Sequence, residues 1–415
     1  MAAYLKALLN KKTALYLAGF FFLLLIYTLT RHTVDYLNFW KIAREVIYGN
    51  IDLYKKYTAF SYPPFFYNII IFFAVFSIKI SLALWYLFSV TILAFSTAMI
   101  LKIIYPESTF FRFDSKSWTK MFLPFILALP VIADNLYLGQ ANIFVFFLCV
   151  SAIYLLENKN PIASGLFISA AVAIKLTPAF FIIYFLYRKE YKAVLAALIG
   201  LPVFFLLIPS CFYGFERAWY LSGEFVKSVV FPFFKNDAII RETVYYTHPN
   251  QSLDAFLMRH FTDLGVTGYP GWMHSHFDPA KFTQEQMKRS GLVIKAFLLL
   301  LSAATLWRTR KFKLVAKFEY AIVFFLILYI SPSSWLSHYI SILFAYYVSV
   351  AYITDIYADK TGKVILAMCL TLAIIFMYTG VNSFMQSLSG MFIGNFILFA
   401  GMVFVCFKES YRKAL

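Results

Sequence analysis

Asp35 is the acidic residue whose position in the sequence most suggests chemistry. It follows the first long apolar run, about one helical turn after Arg31, where the chain is expected to leave the lipid. A carboxylate at this boundary could act as a general base for a membrane-borne substrate, because partial desolvation raises its pKa towards the working range. It could also cap the helix that follows, since an aspartate before an amphipathic run accepts free backbone N–H groups.

Lys175 is a cation inside an apolar run, residues 162–187, which Pro178 interrupts. A lysine at the centre of a membrane helix costs about 2.5–3.5 kcal/mol on insertion scales. Its side chain could reach the interface by snorkelling, or it could pair with an anionic group such as a lipid phosphate. The second use predicts a phosphate-binding residue.

A second polar interruption contains Asp134 and Asn135, followed by Gly139, Gln140 and Asn142. Polar groups at a broken membrane helix usually face protein or a water-filled cavity. Gln140 and Asn142 are therefore candidates for substrate contacts. Counting apolar runs from the amino terminus puts this interruption on the inner side, away from Asp35.

The second half of the chain carries two more polar clusters. Asn250, Gln251 and Arg259 could bind sugar hydroxyls and phosphate, or Asn250 or the following serine could cap a helix. His338 stands beside tryptophan and tyrosine at the mouth of an apolar run, as a belt residue or as a phosphate or sugar contact.

Metal ligands are poorly represented. His274 and His276 form a His-x-His pair without carboxylate or cysteine ligands nearby, and no acid stands two residues after Asp35. The sequence therefore predicts no metal and no other cofactor. Tyr62, which leads through Pro63 and Pro64 into the next apolar run, is more typical of a rigid re-entry to the bilayer than of a site.

The composition defines the elements that must position these residues. Of 415 residues, 62% are hydrophobic and 14% charged, with mean hydropathy +0.74, whereas soluble domains are about half apolar and a quarter charged. This excludes a soluble or singly anchored protein and predicts an all-α, polytopic transmembrane bundle of about twelve spans. The apolar runs are residues 13–30, 65–79, 81–104, 121–136, 140–156, 162–187, 193–211, 291–307, 319–331, 335–353, 363–381 and 390–407.

Charge predicts the orientation of the bundle. The net charge is +17, and the short basic loops at 188–192, 308–317 and 408–413 belong inside, which makes nucleic acid an improbable partner. Two longer polar stretches, 31–64 and 211–290, are then outer loops, and the first has the periodicity of an amphipathic surface helix. We expect one integral membrane domain over 1–415, multi-pass in the plasma membrane, with its function facing outward.

Seven motifs, in order, resemble glycosyltransferase family 87 of the GT-C superfamily. They are Asp35 after the first span, Gly49-Asn50-Ile51-Asp52-Leu53-Tyr54, Tyr62-Pro63-Pro64, Gly139-Gln140-x-Asn142, Lys175-x-Thr177-Pro178, Asn250-Gln251-Ser252 with Arg259, and Ser331-Pro332 with His338-Tyr339. The family contains mannosyltransferases that use polyprenyl-phosphate mannose. The resemblance covers most of the chain.

The resemblance implies an inverting transfer of a hexose, mannose first, from a polyprenyl-phosphate donor to a lipid-linked or glycan acceptor. Asp35 takes the position of the catalytic base, and a phosphate leaving group requires positive charge, supplied through charge-assisted hydrogen bonds. Lys175, Arg259 and His338 are the candidates for that contact. Contacts with the sugar or the acceptor are then expected from Gln140, Asn142, Asn250, Gln251 and Tyr62.

The main alternative from another class is a transporter or flippase of a lipid-linked saccharide. An intramembrane lysine and broken helices suit transport equally well. Two substantial outer loops, Asp35 at the boundary and the lack of an internal repeat favour the enzyme. An O-antigen ligase or polymerase is a third possibility, but residues 211–290 lack an arginine-rich pattern.

Overall fold

The structure is a computed structural model of the 415-residue chain. It describes residues 11–31, 34–48, 53–57, 62–106, 115–231, 247–262, 282–309, 315–355 and 357–412. Predictions that concern His274, His276, the motif residues 49–52, and residues 232–246 and 263–281 of the outer loop 211–290 lie outside these residues.

The described chain is built of helices, with an isolated bridge between Thr262 and Phe282. Up to residue 231 the α-helices are α1 (Lys11–Thr30), α2 (Val34–Tyr48), α3 (Leu53–Lys56), α4 (Pro64–Ala74), α5 (Ile78–Ile104), α6 (Ser115–Leu127), α7 (Leu129–Leu138), α8 (Asn142–Glu157), α9 (Pro161–Val172), α10 (Phe180–Tyr187), α11 (Tyr191–Pro202), α12 (Ile208–Tyr213) and α13 (Phe215–Phe225). From residue 247 they are α14 (Leu253–Phe261), α15 (Gln284–Thr309), α16 (Phe318–Ile330), α17 (Leu343–Thr354), α18 (Lys360–Thr379), α19 (Ser383–Ser387) and α20 (Gly390–Arg412). Turns of 3₁₀ helix (Thr177–Ala179, Leu336–Ile342) and π helix (Val203–Leu207, Val226–Val230) extend some of them.

Six of the described helical segments are long and apolar enough to cross a bilayer, which makes the chain a multi-pass membrane protein. They are Ile78–Ile104, Tyr191–Tyr213, Gln284–Thr309, Leu336–Thr354, Lys360–Thr379 and Gly390–Ser410. The bent pair Lys120–Leu127 and Leu129–Leu138 would make a seventh. The other apolar helices have 10–17 residues, so the all-α membrane bundle is confirmed and the twelve spans stay a prediction.

The chain divides into two compact units. Unit 1 comprises Met1–Phe113 and Ala133–Ile239, and unit 2 comprises Asp114–Ile132 and Ile240–Leu415. Asp35, Tyr62, Gln140, Asn142 and Lys175 belong to unit 1. The predicted site residues of the second half of the chain, Asn250, Gln251, Arg259 and His338, belong to unit 2.

In unit 1, the helix predicted in the first outer loop is α2. Its apolar side chains recur at helical spacing, and Tyr36, Phe39, Ala43 and Val46 are buried, whereas Lys41 is exposed. This buried face packs mainly against α4, where the ring of Phe39 meets Phe66 edge-on with centroids 5.0 Å apart. α2 is thus a helix whose apolar side is largely covered by protein, and its place along the membrane surface stays a prediction.

Two contacts in unit 1 concern the run 65–79, for which the sequence predicts a crossing of its own. The Trp40 indole N–H donates to the carbonyl of Phe76, 3.1 Å away, and the Tyr36 hydroxyl lies 2.7 Å from the Ser81 hydroxyl. The turn between α4 and α5 therefore lies beside α2, as Phe66 near the start of α4 does. Both ends of this short run lie beside one helix, and its crossing stays a prediction.

The run 162–187 is not one continuous helix. A break at residues 173–176 divides it, and there the Lys175 amine lies 2.8 Å from the Asn142 amide oxygen. The end of α9 therefore lies near the start of α8. The number of crossings that the two halves make stays a prediction.

In unit 2, an aromatic cluster fixes α14, the helix that carries Arg259. Phe256 lies 4.9 Å from Phe392 of α20, centroid to centroid. The ring of Tyr329 in α16 is 5.8 Å from Phe392 and 5.6 Å from Phe399. Such ring pairs add about 0.5–1.5 kcal/mol each to the burial of their surface.

Candidate active site

Asp35 lies in the first turn of α2, one residue after its start at Val34. The helix begins before it, so Asp35 does not occupy the cap position that the alternative interpretation required. Its side chain is partly buried, and one carboxylate oxygen accepts a hydrogen bond from the Gln140 side-chain amide. Burial raises the pKa of the Asp35 carboxyl above its ordinary value, and the hydrogen bond from Gln140 opposes part of that shift.

This bond corrects the predicted position of the interruption at 139–142. The prediction placed Gln140 on the inner side, whereas in unit 1 it lies beside Asp35. Gln140 was predicted as a sugar or acceptor ligand, and its amide N–H is used here for the carboxylate.

Gly139 allows the loop to come this close to α2. Its φ of +65° lies in the left-handed region, and a β-carbon there would stand 2.6 Å from the Tyr36 β-carbon. The Trp85 indole N–H donates to the Gly139 carbonyl at 3.0 Å, and the Trp85 ring stacks on Tyr36 with centroids 5.8 Å apart. The Gln140 N–H bonds to the Asn135 carbonyl at 2.9 Å, so backbone contacts on both sides position the Gln140 side chain.

Two further ionisable groups face Asp35. The charge of Asp134 and the hydroxyl of Tyr62 both lie within its electrostatic reach. Asp35 is therefore not the lone carboxylate that spacing along the sequence suggested, because α7 brings Asp134 towards it. Burial, followed by the nearby Asp35, raises the pKa of the Tyr62 phenol, so Tyr62 stays neutral. Within the described ranges, no three histidine, cysteine, aspartate or glutamate side chains converge as metal ligands.

Lys175 and Asn142 form a second polar pair in unit 1. The Lys175 amine donates to Asn142 Oδ1 at 2.8 Å. Asn142 is buried, and its Nδ2 has no hydrogen-bond partner among the described residues. Asn142 is also the first residue of α8, where free N–H groups and the helix dipole favour an anion. An ammonium, an amide N–H and a helix amino terminus together can bind a phosphate.

The polar cluster of unit 2 is bonded mainly to backbone. Asn250 Oδ1 accepts from the N–H groups of Ser252 and Ser334 at 3.1 and 3.0 Å, and its Nδ2 donates to the Pro332 carbonyl at 3.3 Å. The Ser252 hydroxyl accepts from the Ala255 N–H at 3.1 Å. The capping interpretation of this motif is thus correct for Ser252, and Asn250 joins two loops.

Gln251 makes the same kind of contact. Its side-chain Nε2 donates to the carbonyls of His248 and Gln386, both at 2.7 Å. The Tyr339 hydroxyl donates to the Gln251 carbonyl at 2.6 Å. Asn250 and Gln251 were predicted to contact sugar or acceptor, and that use stays a prediction beside these structural bonds.

Arg259 is buried and holds three groups of unit 2. Its Nη1 donates to the carbonyls of Thr247 at 3.1 Å and Asn250 at 2.6 Å, and its Nη2 donates to the Ser389 hydroxyl at 2.5 Å. His260 Nε2 lies 3.1 Å from the same hydroxyl, and burial beside Arg259 lowers the pKa of His260 to about 4. These bonds differ from the phosphate contact predicted for Arg259, which remains untested.

His338 makes a structural bond through its ring. Its Nδ1 accepts the backbone N–H of Trp335 at 2.9 Å, at the start of the 3₁₀ helix Leu336–Ile342. The phosphate contact predicted for His338 stays a prediction beside this bond.

One charged pair escaped the sequence analysis. The Lys295 amine lies 2.5 Å from an Asp254 carboxylate oxygen, and their side chains are 15% and 14% exposed. Lys295 stands inside the apolar run 291–307, so the rule that singled out Lys175 would also have found it. The carboxylate of Asp254 in α14 forms an ion pair with the Lys295 amine.

These features define a membrane-embedded protein with an acid–amide pair and a lysine–asparagine pair in one unit. The chain matches the model of glycosyltransferase family 87 over residues 60–332, more than half of its length. It belongs to glycosyltransferase family 87, as the seven motifs suggested. Asp35 precedes the matched region and His338 follows it, whereas the other predicted site residues lie inside it.

Two curated relatives carry the same description, polyprenol-phosphate-mannose-dependent alpha-(1-2)-phosphatidylinositol mannoside mannosyltransferase. The protein of Mycobacterium tuberculosis (strain ATCC 25618 / H37Rv) is 27% identical over 222 residues, which cover 53% of this chain and 43% of that protein. The protein of Mycolicibacterium smegmatis (strain ATCC 700084 / mc(2)155) is 31% identical over 105 residues, 25% of this chain and 22% of that protein. The chain thus aligns with less than half the length of these relatives. No solved structure matches it.

Proposed function

We propose that this chain transfers a hexose, mannose in the first place, from a polyprenyl-phosphate donor to a lipid-linked or glycan acceptor. The observation that carries the proposal is the loop 139–142 of unit 1. One residue of this loop, Gln140, bonds Asp35, and another, Asn142, bonds Lys175. A carboxylate and a phosphate-binding pair are thereby held a few residues apart on one short loop.

This arrangement supports a single displacement with inversion. Asp35 takes the proton of the acceptor hydroxyl on the carboxylate oxygen that does not bind Gln140. The hydroxyl oxygen forms a bond to the anomeric carbon while the bond from that carbon to the phosphate oxygen breaks, and its electron pair leaves with the polyprenyl phosphate. Lys175 and Asn142 bind the phosphate, whose negative charge grows in the transition state.

The raised pKa of Asp35 suits this role. A general base is most effective when its pKa approaches the working pH, because a more basic carboxylate takes the proton more readily. Full burial without a donor would keep Asp35 protonated and inactive. The partial exposure of Asp35 and the hydrogen bond from Gln140 limit the rise of its pKa.

The names of the relatives suggest the substrates. Both are described as dependent on polyprenol-phosphate-mannose and as acting on phosphatidylinositol mannoside. We extend the donor to this chain and propose a lipid-linked acceptor of that kind, with the linkage open. The reaction takes place on the outer face of the plasma membrane, in one membrane domain of about twelve crossings.

A transfer assay with purified protein tests the proposal. Wild-type chain in lipid nanodiscs receives polyprenyl-phosphate mannose labelled with ¹³C at the anomeric carbon, with phosphatidylinositol mannoside as acceptor. The expected result is a labelled mannolipid whose anomeric configuration, measured by NMR, is opposite to that of the donor. Retained configuration contradicts the single displacement. Passage of intact donor across a vesicle membrane, without transfer, supports the flippase alternative.

A further inference from the structure

Backbone contacts on both sides of Gln140 fix the direction in which its side chain reaches Asp35. The Gly139 carbonyl is bonded to the Trp85 indole, and the Gln140 N–H is bonded to the Asn135 carbonyl. Tyr36, the residue after Asp35, fills the space that a β-carbon at Gly139 would occupy. The segment that carries Gln140 is thus packed against the segment that carries Asp35.

The hydrogen bond also makes the two carboxylate oxygens of Asp35 different. Oδ2 accepts from Gln140, and among the described residues no partner is seen for Oδ1. An amide donor on one oxygen restricts rotation of the carboxylate about its bond to Cβ. The other oxygen then points in one direction, as a base that must meet a hydroxyl within about 3 Å requires.

We propose that Gln140 is a positioning residue, which orients Asp35 and keeps one of its oxygens for the acceptor hydroxyl. This assignment depends on the proposed function of Asp35 and replaces the sugar contact that the sequence suggested for Gln140. The amide makes no contact with the reacting atoms. It acts through the carboxylate alone.

The Gln140→Met variant removes the donor and keeps an unbranched side chain of similar length. A hydrogen bond to a charged group is typically strong enough that its loss lowers kcat about 10- to 100-fold. Binding of the donor sugar lipid depends on other residues, so its KM stays within about twofold. The matched control is Gln386→Met in unit 2, which loses a bond to the Gly380 carbonyl at 2.8 Å and keeps kcat.

The pH dependence separates positioning from a structural role. Asp134 and Tyr62 are the ionisable groups that face Asp35 from α7 and from the segment before α4, and neither is altered in the variant. Loss of the Gln140 donor raises the pKa of Asp35, so the acidic limb of kcat/KM moves to higher pH. Simple loss of folded protein lowers the rate at every pH without moving the limb.

A measurement that does not need the transfer reaction separates the role of Gln140 from the proposed function of the chain. A carbodiimide labels protonated carboxyl groups, and mass spectrometry reads the labelled fraction of Asp35 against pH. We expect the labelling midpoint to rise in Gln140→Met and to stay in Gln386→Met. An unmoved midpoint together with an unmoved acidic limb, in a wild-type chain that transfers sugar, overturns the role of Gln140 alone. A wild-type chain without transfer overturns the proposed function and with it any catalytic use of Gln140, even if the midpoint moves.

Discussion

Unit 1 and unit 2 both contain polar residues of the seven family motifs, but the two groups are bonded differently. In unit 1, Gln140 bonds Asp35 and Asn142 bonds Lys175, side chain to side chain. In unit 2, Asn250, Gln251 and Arg259 bond mainly to backbone carbonyl and N–H groups of neighbouring loops.

The difference has a physical meaning. A side chain that satisfies buried backbone groups replaces hydrogen bonds that water cannot provide, so its removal destabilises the fold. A side chain that keeps an unused donor or acceptor can bind a ligand with it. Among the described residues, Asn142 Nδ2 of unit 1 is such an atom, and so are Gln251 Oε1 and Arg259 Nε of unit 2. Membership of a family motif therefore does not by itself distinguish a residue that acts on substrate from one that holds the loops.

Arg259→Met should give the largest loss of stability in unit 2. It removes three hydrogen bonds from a buried cation and leaves two carbonyl groups and the Ser389 hydroxyl without it, at a cost of about 3 kcal/mol or more. Thermal unfolding in detergent measures the loss, and transfer per folded molecule should stay within about twofold. The control is Arg44→Met, because Arg44 is exposed and stacks over Trp40 at 4.7 Å.

One result for Arg259→Met would contradict the proposed difference between the two units. Unchanged unfolding with a tenfold or greater loss of transfer per folded molecule would make Arg259 the phosphate ligand that the sequence suggested.

Lys175→Met should act on the donor rather than on the fold. Without the ammonium, the phosphate loses a charge-assisted hydrogen bond, and kcat/KM for the polyprenyl-phosphate sugar falls about 10- to 100-fold. Lys175→Arg should recover part of the activity because it keeps the charge. The control is the exposed Lys79, whose change to Met should leave the donor kinetics unchanged. Equal activity of Lys175→Met and wild type would remove the anion-binding pair from the account.

His260 predicts a smaller, pH-dependent effect on unit 2. Burial and the nearby Arg259 lower its pKa to about 4 in the folded chain, against about 6.5 when unfolded. The unfolded chain therefore binds the extra proton first, so stability is complete above about pH 6.5 and declines as pH falls towards 4. Unfolding at pH 5 should cost roughly 1–2 kcal/mol less than at pH 7. His260→Gln should flatten this dependence, and an equal slope in both proteins would contradict the assignment.

Much of this fold could be predicted from the sequence because helices are local. Periodicity predicted α2 with its buried Tyr36 and Phe39, and the polar pattern before α14 predicted the cap at Ser252. Polar residues in apolar surroundings also marked Asn142 and Lys175 correctly as unusual positions.

The pairing of those positions could not be predicted in the same way. Gln140 and Asp35 are 105 residues apart in the chain, and their predicted sides depended on counting every crossing between them. The short apolar helix α4 shows why such a count is difficult, because an apolar helix that returns to its own side has the same composition as one that crosses. The bonds of Arg259 could not be predicted for a related reason, since the backbone carbonyls that it binds leave no trace in residue types.

The central claim is that Asp35 acts as the base whereas Asp254 of unit 2, which pairs with Lys295, holds the fold. Asp35→Asn and Asp254→Asn, in nanodiscs, should be compared for transfer per folded molecule and for unfolding temperature. Asp35→Asn should lose transfer by a factor of about 10² to 10⁴ without a lower unfolding temperature, because the amide oxygen still accepts from Gln140 and a desolvated charge is removed. Asp254→Asn breaks the pair with Lys295, so it should unfold at lower temperature with transfer within about threefold of wild type. Transfer that survives in Asp35→Asn would contradict the account.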